Sequence, residues 1–172
     1  MSKYRKTRLV VGVFMTIILI SISVSINNSK AIIPSPDKII LYNLGKSKEL
    51  KKGDKEFDKI ITLTNDRVDI KKLSTVKDTV NNEFITGKKS IVLAVEFIYN
   101  KEQELSVKGD GFRPIKYNKL FFELFNPLSS AMLGGPGHTI FQYGDLNHYK
   151  DSSRGPLKES EELNAIIRSI VN

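Results

Sequence analysis

The sequence predicts an α+β domain, a mainly antiparallel sheet with two packed helices, preceded by an N-terminal transmembrane or signal helix. Three observations carry that prediction. An uncharged run, LVVGVFMTIILISISVSI, stands at the amino terminus behind a cluster of basic residues. Several short apolar runs of strand length follow, separated by Gly, Pro and Asn. The chain closes on a segment whose apolar residues recur at the spacing of one helical face.

The amino-terminal run comes first. Leu9 to Ile26 contains no charge. As a helix it rises about 27 Å, close to the roughly 30 Å of a bilayer's hydrocarbon core. Lys3, Arg5, Lys6 and Arg8 precede it, and positive flanks stay on the cytoplasmic side, so the rest of the chain is expected outside. A cleaved signal peptide is the alternative. Its apolar stretch would run from Leu9 to Ile20, with small residues for cleavage after Ser25 or after Ala31. A retained anchor is favoured because the run exceeds the usual signal-peptide core. The expected organisation is an anchor or signal over 1–26, a spacer over 27–37 and one extracytoplasmic domain over 38–172.

Within that domain, Lys38 to Tyr42 reads as a first strand ending before Asn43 and Gly45. Asp54 is the expected N-cap of a helix over 55–66, with Phe57, Ile60, Ile61 and Thr64 inward and Lys55, Asp58, Lys59 and Thr62 wet. Val68 to Thr86 mixes apolar residues with charges and threonines, and is expected as a connection containing an extended stretch. Ser90 to Tyr99 is the clearest strand. Ile91, Leu93, Val95, Phe97 and Tyr99 form one face, and Val92, Ala94, Glu96 and Ile98 form the other. Two apolar faces imply a central strand covered on both sides, which makes Glu96 the odd residue. Tyr117 to Phe125 and Thr139 to Tyr143 complete the strands, and Ser160 is the N-cap of a last helix carrying Leu163, Ile166, Ile167, Ile170 and Val171 inward.

Composition excludes several functions. The chain carries a formal charge of +8, but five of its 27 basic residues precede Ile32, so the 22 that follow exceed the 19 acidic ones by three. A nucleic-acid partner needs its positive excess on the folded domain, so none is expected. There is no cysteine, which removes disulfides, thiolate metal sites and a lipidated cysteine. No cofactor is expected.

Two stretches are candidate sites. Gly134, Gly135, Gly137 and His138 form a glycine-rich loop that lacks the Lys and following helix of a phosphate cradle, and is expected as a binding loop. Asp145, His148 and Asp151 recur at intervals of three in GDLNHYKD, where two carboxylates and an imidazole suit a divalent ion or proton transfer if a tight loop gathers them. The bland reading of that stretch is a solvated turn before the last helix. Ser129, Ser130, Ser152 and Ser153 sit in no nucleophile motif. Glu96 and Glu123 pair as two carboxylates if their strands adjoin, or each takes a lysine.

Pro36-Asp37-Lys38-Ile39, Tyr117-Asn118-Lys119-Leu120-Phe121-Phe122, and Arg154-Gly155-Pro156-Leu157 followed by Ser160 to Leu163 resemble small exported or membrane-anchored proteins of low-GC Gram-positive bacteria. The likeness spans about Pro34 to Asn172 and implies location rather than chemistry. The expected function is a non-catalytic extracytoplasmic module that binds a protein or cell-envelope component. The alternative is a small hydrolase or metal-dependent enzyme using Asp145, His148 and Asp151.

Overall fold

The computed structural model describes residues 32–76, 81–106, 114–125 and 139–172. From Ile32 to Asn172 the chain forms one compact unit. Seven strands make a single sheet in the order β2-β1-β4-β5-β6-β7-β3, and every neighbouring pair is antiparallel. Three helices accompany it among the described residues, so the architecture is the expected α+β layer with one helix more than the sequence predicts. No helix among the described residues is long and apolar enough to cross a membrane. The run Leu9 to Ile26 lies outside them.

Packing begins before the first strand. Ile33 is fully buried in the main core, and Asn65 clamps its backbone, accepting from the Ile33 amide at 2.8 Å and donating to its carbonyl at 3.1 Å. Tyr99 donates to the Pro34 carbonyl at 2.9 Å. The expected spacer over 27–37 thus gives its last six residues to the domain.

β1 (Lys38–Asn43) turns into β2 (Lys46–Lys51) through Leu44 and Gly45, whose φ angles of 49° and 86° are those of a two-residue type I′ hairpin. β2 is an edge strand of alternating Lys, Ser and Glu with only Leu50 buried. Such polarity hides it from strand detection and discourages edge-to-edge pairing. α1 (Phe57–Asp66) buries Phe57, Ile60, Ile61 and Thr64, as its spacing predicts. Its expected cap is corrected. Asp54 accepts from the Lys51 amide at 2.7 Å, closing the turn after β2, and the residue at the cap position, Glu56, makes no side-chain cap bond.

The connection over 68–86 contains the expected extended stretch and also the start of a helix that the sequence does not predict. β3 (Ser74–Val76) pairs with β7 at the far edge of the sheet. α2 (Asn82–Lys89) is capped by the Asn81 side chain, which accepts from the Phe84 amide at 2.8 Å. α2 buries only Ile85, too little for an apolar period to appear.

β4 (Leu93–Leu105) and β5 (Ile115–Phe125) are the long central strands. β4 continues past the expected end at Tyr99 through a pairing irregularity between Ile98 and Gln103. β6 (Phe141–Gly144) and β7 (Tyr149–Gly155) form a hairpin, so the stretch expected as a turn before the last helix is half strand. Gly144 is required in this hairpin, because a Cβ there would collide with the His148 carbonyl oxygen. α3 (Glu161–Val171) follows Ser160, whose hydroxyl accepts from the Leu163 amide at 3.3 Å.

The two faces of the sheet differ. On one, α3 packs against β1, β2 and α1, and Ile39, Leu41, Val95, Phe97, Leu120, Phe122, Leu163 and Ile167 form the main core. On the other, Tyr42, Val92, Ala94, Phe121, Tyr149 and Ile85 of α2 form a smaller cluster. Tyr117 belongs to the main core and packs edge-on to Tyr99 at 5.4 Å.

Candidate functional site

The smaller face holds the densest group of buried titratable side chains. Alternation along β4 places Glu96 beside Ala94 and Val92 beneath α2, and Glu96 is 3% exposed. A bare carboxylate there would be strongly disfavoured, and three groups converge on it. Tyr42 of β1 donates to Oε2 at 2.6 Å, Lys89 of α2 reaches the same oxygen at 2.7 Å, and Tyr149 of β7 donates to Oε1. One turn of helix serves both acids of the face, since Lys88 reaches Glu123 Oε2 at 2.6 Å. β4 and β5 do adjoin, but Glu96 faces Phe121 across the ladder and Glu123 faces Ala94. The acids therefore take separate lysines instead of pairing.

Cations also cover the rings. The Lys89 ammonium lies 4.9 Å from the Tyr42 ring centroid and the Lys119 ammonium 4.3 Å from that of Tyr149, geometry suited to cation–π attraction. Burial pushes the Glu96 carboxyl up, but the Lys89 charge and the hydrogen bonds from Lys89, Tyr149 and Tyr42 outweigh it and hold the group below its ordinary range. Burial, then the Glu96 charge, pushes the Tyr42 and Tyr149 phenols far up. Burial lowers Lys119, opposed by Glu96. The cluster therefore keeps an ionised acid and two neutral phenols at neutral pH, a combination that stabilises the fold.

Asp145 and His148 occupy the β6–β7 turn. The Asp145 carboxylate accepts from the backbone amides of Asn147 at 2.9 Å and His148 at 2.8 Å, and from Lys150 at 3.1 Å. These bonds, led by that of the His148 amide, hold it well below the ordinary carboxylate range. His148 Nδ1 stands 3.9 Å from Asp145 Oδ1, with its side chain 75% exposed. Asp151 lies in β7; its side chain is outside the described residues, as are Gly134, Gly135, Gly137 and His138. Among the described residues no three His, Cys, Asp or Glu side chains are placed to hold a metal. Ser152 Oγ is 2.9 Å from the Tyr143 hydroxyl, and Ser153 Oγ is buried without a hydrogen-bond partner.

A second feature lies on the surface. Five large hydrophobic residues are exposed among those described, and three of them, Leu44, Ile91 and Phe125, lie at one end of the sheet, with Phe84 of α2 linked to it through Lys88. The Leu44 amide bonds the Val92 carbonyl at 3.3 Å, beside Ile91. Phe125 faces Leu93 across the ladder. Phe84 lies 4.8 Å below the Lys88 ammonium, which reaches Glu123 two residues before Phe125. Arg168 stacks over Phe125 at 5.6 Å. Sequence reasoning marked Glu96 as anomalous but missed Lys88, Lys89, Tyr42 and Tyr149, which come from three separate elements with no spacing to link them.

No family model matches the chain, and no curated protein or solved structure shows significant similarity to it.

Proposed function

We propose that the protein is a non-catalytic extracytoplasmic module, anchored by Leu9 to Ile26, that binds a protein partner through the apolar end of its sheet. The placement of exposed Leu44, Ile91 and Phe125 at one end of the sheet, with Phe84 linked to it through Lys88, carries this reading, because exposed apolar groups concentrated together mark interaction sites whereas scattered ones do not. Two of the four are phenylalanines, and large rings supply much of the area on which interfaces depend. Lys46 and Arg168 flank the patch and make no ion pair among the described residues, which suits a partner with an apolar centre and an acidic rim.

The buried cluster supports binding over catalysis. Glu96 is closed by a lysine and two phenols, and Asp145 is engaged by the backbone of its own turn. For location, the support is the uncharged length of the amino-terminal run and the four basic residues before it.

Site-specific photo-crosslinking of the full chain in its native membrane tests the proposal. A photoreactive residue at Ile91 should give one discrete adduct, lost with Phe84→Ser together with Phe125→Ser, and a probe at Thr62 on exposed α1 should give none. The same adducts from both positions, or an Ile91 adduct indifferent to the paired substitution, would count against it.

A further inference from the structure

The polar content of the smaller face is satisfied on one side of the sheet and open on the other. Ladder pairing aligns Ile40, Glu96, Phe121, Gln142 and Ser153 in one row across β1, β4, β5, β6 and β7, and residues directly opposite in antiparallel strands share a face. At the β4 position the row is closed by Lys89, Tyr42 and Tyr149. At β6 and β7 it is not. Gln142 and Ser153 are both fully buried, and among the described residues neither Gln142 Oε1, Gln142 Nε2 nor Ser153 Oγ has a hydrogen-bond partner. Buried polar groups are nearly always hydrogen-bonded, and an amide and a hydroxyl left unpaired side by side are a costly arrangement for folding alone.

We propose that Gln142 and Ser153 form the floor of a binding site for a small uncharged ligand bearing an amide group, such as a peptide bond or carboxamide. The chemistry follows from the atoms on offer. The Gln142 carboxamide presents an acceptor and two N–H donors in one plane, and the Ser153 hydroxyl can donate or accept. A second amide supplies the reciprocal donor and acceptor. An ion is a poor fit, because the cross-strand neighbours of Gln142 are Phe121 and Ser153 and a buried charge needs a partner of opposite sign.

α2 packs on the same face. Its first residue, Asn82, is tied to the β6–β7 hairpin, donating to the Asn147 carbonyl at 2.6 Å and accepting from the Tyr149 amide at 3.1 Å. Its last two residues are tied to β5 and β4 through Glu123 and Glu96. The helix therefore crosses this face diagonally. With Ile85 its one buried apolar side chain, it is held to the sheet largely by these polar ties.

The inference depends on neither export nor the apolar surface patch, and its test is separate from theirs. In the full-length protein in detergent micelles, the Gln142 side-chain amide resonances are assigned by their disappearance in Gln142→Met and followed during titration with N-methylacetamide, the minimal peptide group. The expected result is a saturable shift of those resonances, with an apparent Kd weakened about fivefold in Ser153→Ala, the loss of roughly one hydrogen bond. If Ser153→Ala loses the native spectrum, Gln142→Met serves as the second variant, read at the Phe121 ring protons, which should then stop responding to the probe. A Gln142 amide that exchanges magnetisation with an internal water and does not respond saturably would overturn the proposal. So would a response unchanged in the variant.

Discussion

Removing the Glu96 charge is the sharpest test of the buried cluster. Glu96 is 3% exposed and accepts from Tyr42, Lys89 and Tyr149. Breaking a buried ion pair by deleting one partner costs about 3–5 kcal/mol, because the remaining charge stays buried without compensation. The Lys89 side chain is 26% exposed, so water recovers part of its hydration and Glu96→Gln belongs at the lower end, about 3 kcal/mol. Glu96→Leu should cost about 2 kcal/mol more, since it also leaves the Tyr42 and Tyr149 hydroxyls without an acceptor at about 1 kcal/mol each. Against a total of about 5–15 kcal/mol for an ordinary domain, these are large fractions. The double variant Lys89→Met with Glu96→Gln removes both charges and should recover at least about 1 kcal/mol relative to the sum of the single changes. Urea unfolding of residues 32–172 at neutral pH reads these as midpoint shifts at constant slope. The reasoning fails if Glu96→Gln lies within about 0.5 kcal/mol of the parent, or if the single effects simply add.

The other predictions are more local. Gly144→Ala should destabilise by about 3 kcal/mol or more, because the new Cβ meets backbone atoms of His148 and Tyr149 that have little room to shift; a variant unfolding at the parent's urea midpoint would refute this. Ser160→Ala should cost about 1 kcal/mol by removing the α3 cap, with hydrogen exchange rising in the first turn of that helix before any other segment. Alkaline pH should unfold the domain cooperatively. Burial raises the phenols of Tyr42, Tyr99, Tyr117 and Tyr149 above 10.0, so the unfolded chain releases four protons that the folded one keeps. Stability is then fully present below pH 10 and falls as pH rises, by about 1.4 kcal/mol per tyrosine per pH unit. Phenolate absorbance of these four appearing near pH 10 with the fold intact would contradict it. Glu96, held low, has the opposite sense: its contribution is present above 4.5 and is lost as pH falls through its folded-state value.

The elements legible in the sequence were those with a strong apolar period. α3 shows Leu163, Ile167 and Val171 on one face and stands where expected, and β4 shows two apolar faces around Glu96 and stands over the expected stretch but runs on to Leu105. β2, β3, β7 and α2 escaped for a common reason. Their residues are mainly polar, and their place is fixed by partners distant in sequence: β2 by β1, β3 by β7, β7 by β6, and α2 by Glu96 and Glu123. The buried cluster was half legible. Glu96 stood out as a charge in an apolar strand, but its phenols lie 54 and 53 residues away along the chain. Nothing about Lys88 and Lys89 distinguishes them in sequence from the other lysines of the chain.

Location is the claim on which the proposed function most depends, and the absence of cysteine makes it directly measurable. A single cysteine introduced at exposed Lys71, and in a second variant at Ser2, is challenged with a membrane-impermeant maleimide in intact cells and again after lysis. The account predicts that Lys71→Cys is labelled fully in intact cells while Ser2→Cys reacts only once the membrane is broken. A Lys71→Cys protein that stays unlabelled until lysis would contradict it.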